Sequence, residues 1–199
     1  MTALAAQPQA SLRLGVDLGG TKTEAVVLDA DGAERWRHRI ATPKQTAESI
    51  CDAIAGLVAD AEAAVAGRCS VGIGTPGSLS PHSGLLRGSN TVVLNGKPVR
   101  QMLEQRLGRE VRIANDANCF ALSEAVDGAG RGAKTVFGAI LGTGVGAGVV
   151  IDGKVLEGLH GIGGEWGHNP LPWPEGDELP VALGGRANVC YCGKPGCIE

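Results

Sequence analysis

Polar and apolar residues alternate around Leu12, Leu14 and Val16, and again from Glu24 through Ala25, Val26 and Leu28. This period of two predicts half-buried strands. A DG turn at Asp31–Gly32 leads to a third strand around Arg35–Ile40, so the chain opens as a meander. Pro43 is expected to open a helix, because Ile50, Ile54, Leu57, Val58, Ala61 and Val65 recur at helical spacing. A strand at CSVGIG, a Gly/Ser/Pro loop, a helix over Val99–Leu107, a strand at EVRIAN and a helix at ANCFALSEAV follow. A second strand set starts at Lys134 and turns at Asp152–Gly153; from Asn169 onward the chain is rich in Pro and Gly.

Strands at the head of each half with helices between predict an α/β fold of two related lobes, divided near Asp116–Cys119. Each half opens with a strand running into a Gly/Thr turn, VDLGGTKT and ILGTGVGAG, the pattern an internal duplication would leave.

Of 199 residues, 43% are apolar, enough for a packed core. Glycine is in excess at 32, which implies tight turns or backbone held close to a ligand. A net charge of −3 gives no basic footprint for nucleic acid or an anionic membrane. MTALAAQPQA does not read as a signal peptide, and TVFGAILGTGVGAGVVI is too short and too Gly-rich for a membrane span. A cytoplasmic location is expected, where clustered cysteines more often bind metal than form disulfides.

GVDLGGTK approaches a P-loop, but Thr21–Lys22 invert the required order and a strand follows in place of a helix. LGTGVGAG likewise runs into a strand, which rejects a dinucleotide fingerprint. Two readings stay open for both turns: tight hairpin loops, or hairpins whose N–H groups and threonine hydroxyls hold phosphate oxygens of a nucleotide between lobes. Asp116 sits where a strand becomes a helix, as a helix cap or as a carboxylate aimed into a crevice. Glu165 and His168, three apart, would share a face of a helical turn. Cys190, Cys192 and Cys197 have a C-x-C-x4-C spacing that leaves zinc and a redox pair open; His168 would complete a Cys3His set. Cys51, Cys69 and Cys119 read as core residues.

GVDLGGTK, ANDANCFALSEA, LGTGVGAG, GEWGH and CYCGKPGCIE, in this order, resemble the ROK-family sugar kinases of the actin-like ATPase superfamily. The resemblance runs from about Leu12 to Glu199. It implies a two-lobe α/β, ribonuclease H-like fold with a tail over 1–11, an N-terminal lobe over 12–118 and the start of a C-terminal lobe over 119–199. Family chains continue further, so an incomplete second lobe, and an isolated chain that does not phosphorylate sugar, are expected. The implied cofactors are ATP and Mg2+, with the phosphates held through Gly15, Asp17, Gly19, Gly20, Thr21 and Lys22 and through Gly142, Thr143, Gly144, Gly146 and Gly148. Asp116 resembles the catalytic base, and Gly77, Asn90, Asn115, Asp116, Glu165, His168 and Glu199 the sugar contacts. The resemblance also supports structural Zn2+ on His168, Cys190, Cys192 and Cys197.

EWGHNPLPW and CYCGK look most like fructokinases, with N-acetylglucosamine, glucose and mannose kinases as alternatives. The expected partners are sugar and ATP, with no nucleic acid or membrane; self-association into a homodimer is left open. Sugar-sensing repressors of the family carry a helix-turn-helix, for which the eleven residues before Leu12 are too few. An inactive metal-stapled fragment is the third reading.

Overall fold

The computed structural model describes residues 12–142, 144–178, 185, 189–190 and 192–198. The chain divides into two compact units, Met1–Asp116 and Ala117–Glu199.

The first unit is built on β1 (Leu12–Leu18), β2 (Lys22–Leu28), β3 (Glu34–Ala41), β4 (Cys69–Thr75) and the later β7 (Arg112–Asn115), in the sheet order β3-β2-β1-β4-β7. The meander β1–β2–β3 is antiparallel, whereas β1, β4 and β7 run parallel. One face buries Leu14, Val16, Leu18, Ala25, Val27, Val71 and Ile73. In the same core lies the apolar stripe of α1 (Ala47–Ala64): Ile50, Ile54, Leu57, Val58 and Ala61. Each Ile, Leu or Val among them contributes about 1.5–3 kcal/mol; Ile54→Ala would cost about 2–5 kcal/mol.

The helix does not open at Pro43. Thr46 caps it, accepting from the Ser49 amide while Ser49 Oγ accepts from the Thr46 amide. The residues before it are already engaged, because Thr42 N–H donates to Thr21 O at 3.0 Å and closes β3 against the β1–β2 turn. The loop after β4 contains a small hairpin, β5 (Ser78–Leu79) with β6 (Leu86–Arg87), which the Gly/Ser/Pro composition did not reveal. α2 has the expected bounds, Val99–Leu107, and ends at Gly108 in the left-handed region. Arg109 then donates to Glu62 Oε1 at 2.7 Å and Cys69 O at 3.0 Å, tying α1, β4 and the approach to β7 together.

α3 (Asp116–Val126) leads into the second unit, whose sheet has the order β10-β9-β8: β8 (Thr135–Leu141), β9 (Val145–Ile151) and β10 (Lys154–Val155), all antiparallel. This repeats the meander order of the first unit. Small residues set the packing: a Cβ on Gly148 would lie 2.6 Å from Ala117 O and 2.7 Å from Ala121 Cβ, and one on Gly138 2.9 Å from Ala121 Cβ. Ala117, Asn118 and Ala121 therefore face inward, and Cys119 is exposed, contrary to its expected core role. Cys51 and Cys69 are buried. No helix among the described residues is long and apolar enough to cross a membrane.

Candidate active site and metal centre

Because β1, β4 and β7 are parallel, their C-terminal ends share one sheet edge, where ligands commonly bind in such sheets. Leu18, Thr75 and Asn115 end the three strands, and the candidate residues of the first unit follow directly from them.

The β1–β2 turn carries Gly19, Gly20 and Thr21. It is locked from beneath: Gly19 N–H donates to Lys22 O at 3.0 Å, and Thr42 Oγ1 donates to Gly19 O at 2.7 Å. Thr42 Oγ1 also lies 2.8 Å from Thr23 Oγ1, and both threonines are buried. Neither was singled out from sequence, since a threonine near a strand end carries no signal of such a brace. Lys22 opens β2, and Gly15 lies inside β1, not in the turn.

Asp17 precedes the turn on the solvent-accessible face of β1. Crowding around its carboxyl pushes its pKa up, and the Asp116 and Glu24 charges add to that; Arg39 opposes it. Glu24 sits directly across the ladder from Asp17, and Arg37 and Arg39 both donate to it. Those two guanidiniums offset the repulsion that facing carboxylates would otherwise produce. Asp17, whose pKa the Asp116 charge helps to raise, thus stands beside the β1–β2 turn.

Asn115 links the neighbouring pieces, donating through Nδ2 to Gly77 O at 3.0 Å and to Asp116 Oδ1 at 3.1 Å. Gly77 has φ +78°, and a Cβ there would stand 2.3 Å from Arg87 O, so its glycine is dictated by close backbone approach. Asn90 is exposed, with Oδ1 3.6 Å from where a Gly20 Cβ would be. The turn, Asn90, Gly77, Asn115 and Asp116 all belong to the first unit and to one end of its sheet.

In the second unit, Gly142 and Gly144 close the β8–β9 hairpin through a Gly142 N–H to Gly144 O bond of 3.0 Å. Thr143 lies outside the described residues. Gly146 and Gly148 are inside β9: Gly146 O accepts from Trp166 Nε1 at 2.9 Å, and Gly148 makes room for α3. Glu165 precedes the 3-10 turn Trp166–His168, and the Trp166 ring meets Phe137 edge-on at 5.6 Å. Glu199 lies outside the described residues.

The ligand atoms of His168, Cys190, Cys192 and Cys197 all fall within 4.8 Å of one another. Cys192 Sγ is 3.7 Å from Cys197 Sγ, and Cys190 Sγ is 3.5 Å from His168 Nδ1. A tetrahedron with Zn–S bonds of about 2.3 Å has edges of about 3.8 Å, whereas a disulfide needs about 2.05 Å. None of the six cysteines is in a disulfide. Residues 169–171 pair with 196–198 through Leu171 N–H to Gly196 O at 2.8 Å and Ile198 N–H to Asn169 O at 3.0 Å, which brings the cysteine loop to His168. Burial pushes the Cys197 thiol up to about 11, while a backbone hydrogen bond at Lys194 lowers Cys192.

A profile described as the ROK family matches residues 13–199. The chain is 45% identical over 185 residues to an N-acetyl-D-glucosamine kinase of Pectobacterium atrosepticum, covering 93% of this chain and 60% of the relative. It resembles a ROK family glucokinase from Streptomyces griseus solved with glucose and AMPPNP: TM-score 0.77, 35% identity, 94% of this chain and 55% of that one. A ROK hexokinase from Thermus thermophilus gives TM-score 0.75 and 34% identity, over 94% of this chain and 59% of that one. The chain thus spans about 60% of the length of the curated relatives it matches.

Proposed function

The chain belongs to the ROK family, and on that premise we propose that it is the sugar- and phosphate-binding part of an ATP-dependent hexose kinase acting on N-acetyl-D-glucosamine. The observation that carries the kinase reading is the convergence, at one sheet edge, of the braced Gly19–Thr21 turn with Asn90, Asn115 and Asp116. What supports the amino sugar over the fructose expected from EWGHNPLPW is likeness to N-acetyl-D-glucosamine kinases at 43–45% identity. The fructose reading is therefore set aside. Glucose is the second reading, favoured by the likeness to the Streptomyces glucokinase.

Asp116 acts as the base. Asn115 orients it through the 3.1 Å bond to Oδ1, and its carboxylate would accept the proton of the attacking sugar hydroxyl. In a loose transition state that proton leaves late, so a weak base suffices. The Gly20 and Thr21 amides hold phosphate oxygens, and Thr42 anchors the Gly19 and Thr21 carbonyls beneath them. Asp17, whose pKa is raised by desolvation and by the Asp116 charge, fits a divalent cation and would hold it; when bound, Mg2+ neutralises phosphate charge.

His168, Cys190, Cys192 and Cys197 would hold one structural Zn2+: four donors leave no open position for catalysis, and the sulfur spacing matches tetrahedral edges. Such an ion would fix the turn that carries Glu165, the second candidate sugar carboxylate.

Calorimetric titration of the 199-residue chain with N-acetyl-D-glucosamine, D-glucose and D-fructose tests the substrate reading. Tightest binding of the amino sugar is expected. A preference for fructose overturns it, and binding of none of the three overturns the sugar-kinase reading itself.

A further inference from the structure

Thr91 precedes the 3-10 turn Val92–Leu94, where a threonine hydroxyl ordinarily accepts from a following amide, yet it makes no such bond. The residue is only 9% exposed, and its Oγ1 is buried without a hydrogen-bond partner. The loop around it is otherwise satisfied. Ser89 N–H donates to Asn95 Oδ1 at 2.9 Å, Asn95 Nδ2 donates to Ser89 O at 2.9 Å, and Thr91 N–H donates to Ser89 Oγ at 3.1 Å. A braced loop thus holds one hydroxyl away from the partners its own backbone offers. Buried polar groups are seldom left this way, and the exceptions call for a reason.

That hydroxyl faces the β1–β2 turn. A Cβ on Gly20 would stand 3.6 Å from Thr91 Oγ1 and equally far from Asn90 Oδ1. Among the described residues, the Gly20 and Thr21 amides donate to no protein acceptor. Two unpaired N–H groups and one unpaired hydroxyl around a single turn form a donor set for an anionic oxygen.

We infer that Thr91 is a further phosphate-positioning residue, resting on the kinase reading above: a phosphoryl group docking on Gly20 and Thr21 moves the turn off the buried hydroxyl, which then donates to a phosphate oxygen. The phosphoryl group can come from a nucleoside triphosphate or from a phosphorylated sugar. The ligand-free chain carries an unpaired hydroxyl that the phosphate-bound chain satisfies, so binding and stability pull in opposite directions at this position.

Titration calorimetry and thermal unfolding of the 199-residue chain test this, comparing wild type, Thr91→Val and Thr91→Ser with tripolyphosphate, Mg·AMPPNP, N-acetyl-D-glucosamine 6-phosphate and the unphosphorylated sugar. Thr91→Val should melt at a higher temperature without ligand, because an isosteric methyl relieves the unpaired hydroxyl. The same variant should bind tripolyphosphate about tenfold more weakly, the scale of one hydrogen bond to a charged group. Thr91→Ser should restore phosphate affinity, and binding of the unphosphorylated sugar should not change. Weakening confined to Mg·AMPPNP and tripolyphosphate assigns the nucleotide as source; weakening confined to the sugar phosphate assigns the product. Equal phosphate affinity in wild type and Thr91→Val overturns the inference, as does a lower melting temperature for the valine variant. A wild type that binds sugar but no phosphate compound overturns the inference alone; one that binds neither overturns the kinase reading with it.

Discussion

Replacing Gly77 by alanine tests whether the edge of the first sheet is held together as described. Gly77 has φ +78°, a region that disfavours an L side chain by roughly 1–2 kcal/mol. The added Cβ would meet Arg87 O at 2.3 Å, Ser89 N at 2.8 Å and the Gly88 carbonyl carbon at 2.9 Å. All three are backbone atoms, so no rotamer change relieves the contact. The chain must move instead, and overpacking of this kind costs about 1–3 kcal/mol. Movement of Gly77 also breaks its carbonyl from Asn115 Nδ2, for about a further 1 kcal/mol. The sum, roughly 3–6 kcal/mol, is a large part of the roughly 5–15 kcal/mol that holds a domain folded. With a urea slope of about 2 kcal/mol/M, the midpoint should fall by roughly 1.5–3 M. Asn115→Ala, which removes the bond but leaves Gly77 in place, should lower it far less. A Gly77→Ala midpoint indistinguishable from wild type would refute the close-approach argument.

Three further outcomes are expected. In a version of the length of its curated relatives, Asp116→Asn should lower turnover by about 10²–10⁴-fold with little change in sugar affinity; near-normal turnover removes Asp116 from the base role. Elemental analysis should find one zinc per chain, lost in Cys192→Ser or Cys197→Ser; a Cys192–Cys197 disulfide in metal-free protein contradicts the site. Glu62 is held below its ordinary pKa of 4.5, first by the Arg109 hydrogen bond, so the folded state favours its ionised form. Its contribution is therefore present at neutral pH and lost as pH falls from the ordinary carboxylate range through the lowered value; Glu62→Gln should flatten that acid limb in pH-dependent unfolding, and an unchanged slope would discount the pair.

The meander, α2 and the strand-to-helix step at Asp116 were legible because each rests on short-range pattern, alternation or a change of period. The start of α1 was misread because Pro43 is a helix opener in isolation, whereas Thr42 is recruited by the β1–β2 turn 21 residues earlier in the chain. Cys119 was misplaced for a related reason. An apolar helix segment does not reveal which side it buries, and here glycines on β8 and β9 select the alanine side. At the candidate site, the place of Asp116 where β7 gives way to α3 could be read directly. Thr23, Thr42 and Thr91 could not, since their roles exist only through partners distant in sequence.

The brace under the β1–β2 turn has a consequence for motion. Thr42 follows directly on β3, which among the described residues is an edge strand, bonded to β2 on one side only. Edge strands fray before central ones, and local opening of this sort proceeds without unfolding the whole unit. Each fraying event that reaches Thr42 would release Gly19 and Thr21 together, because the same residue holds both carbonyls. The amide of Thr42 is then a reporter in deuterium exchange. Its protection factor measures how often the turn is let go, and a ligand seated on the turn should slow that exchange without touching β3.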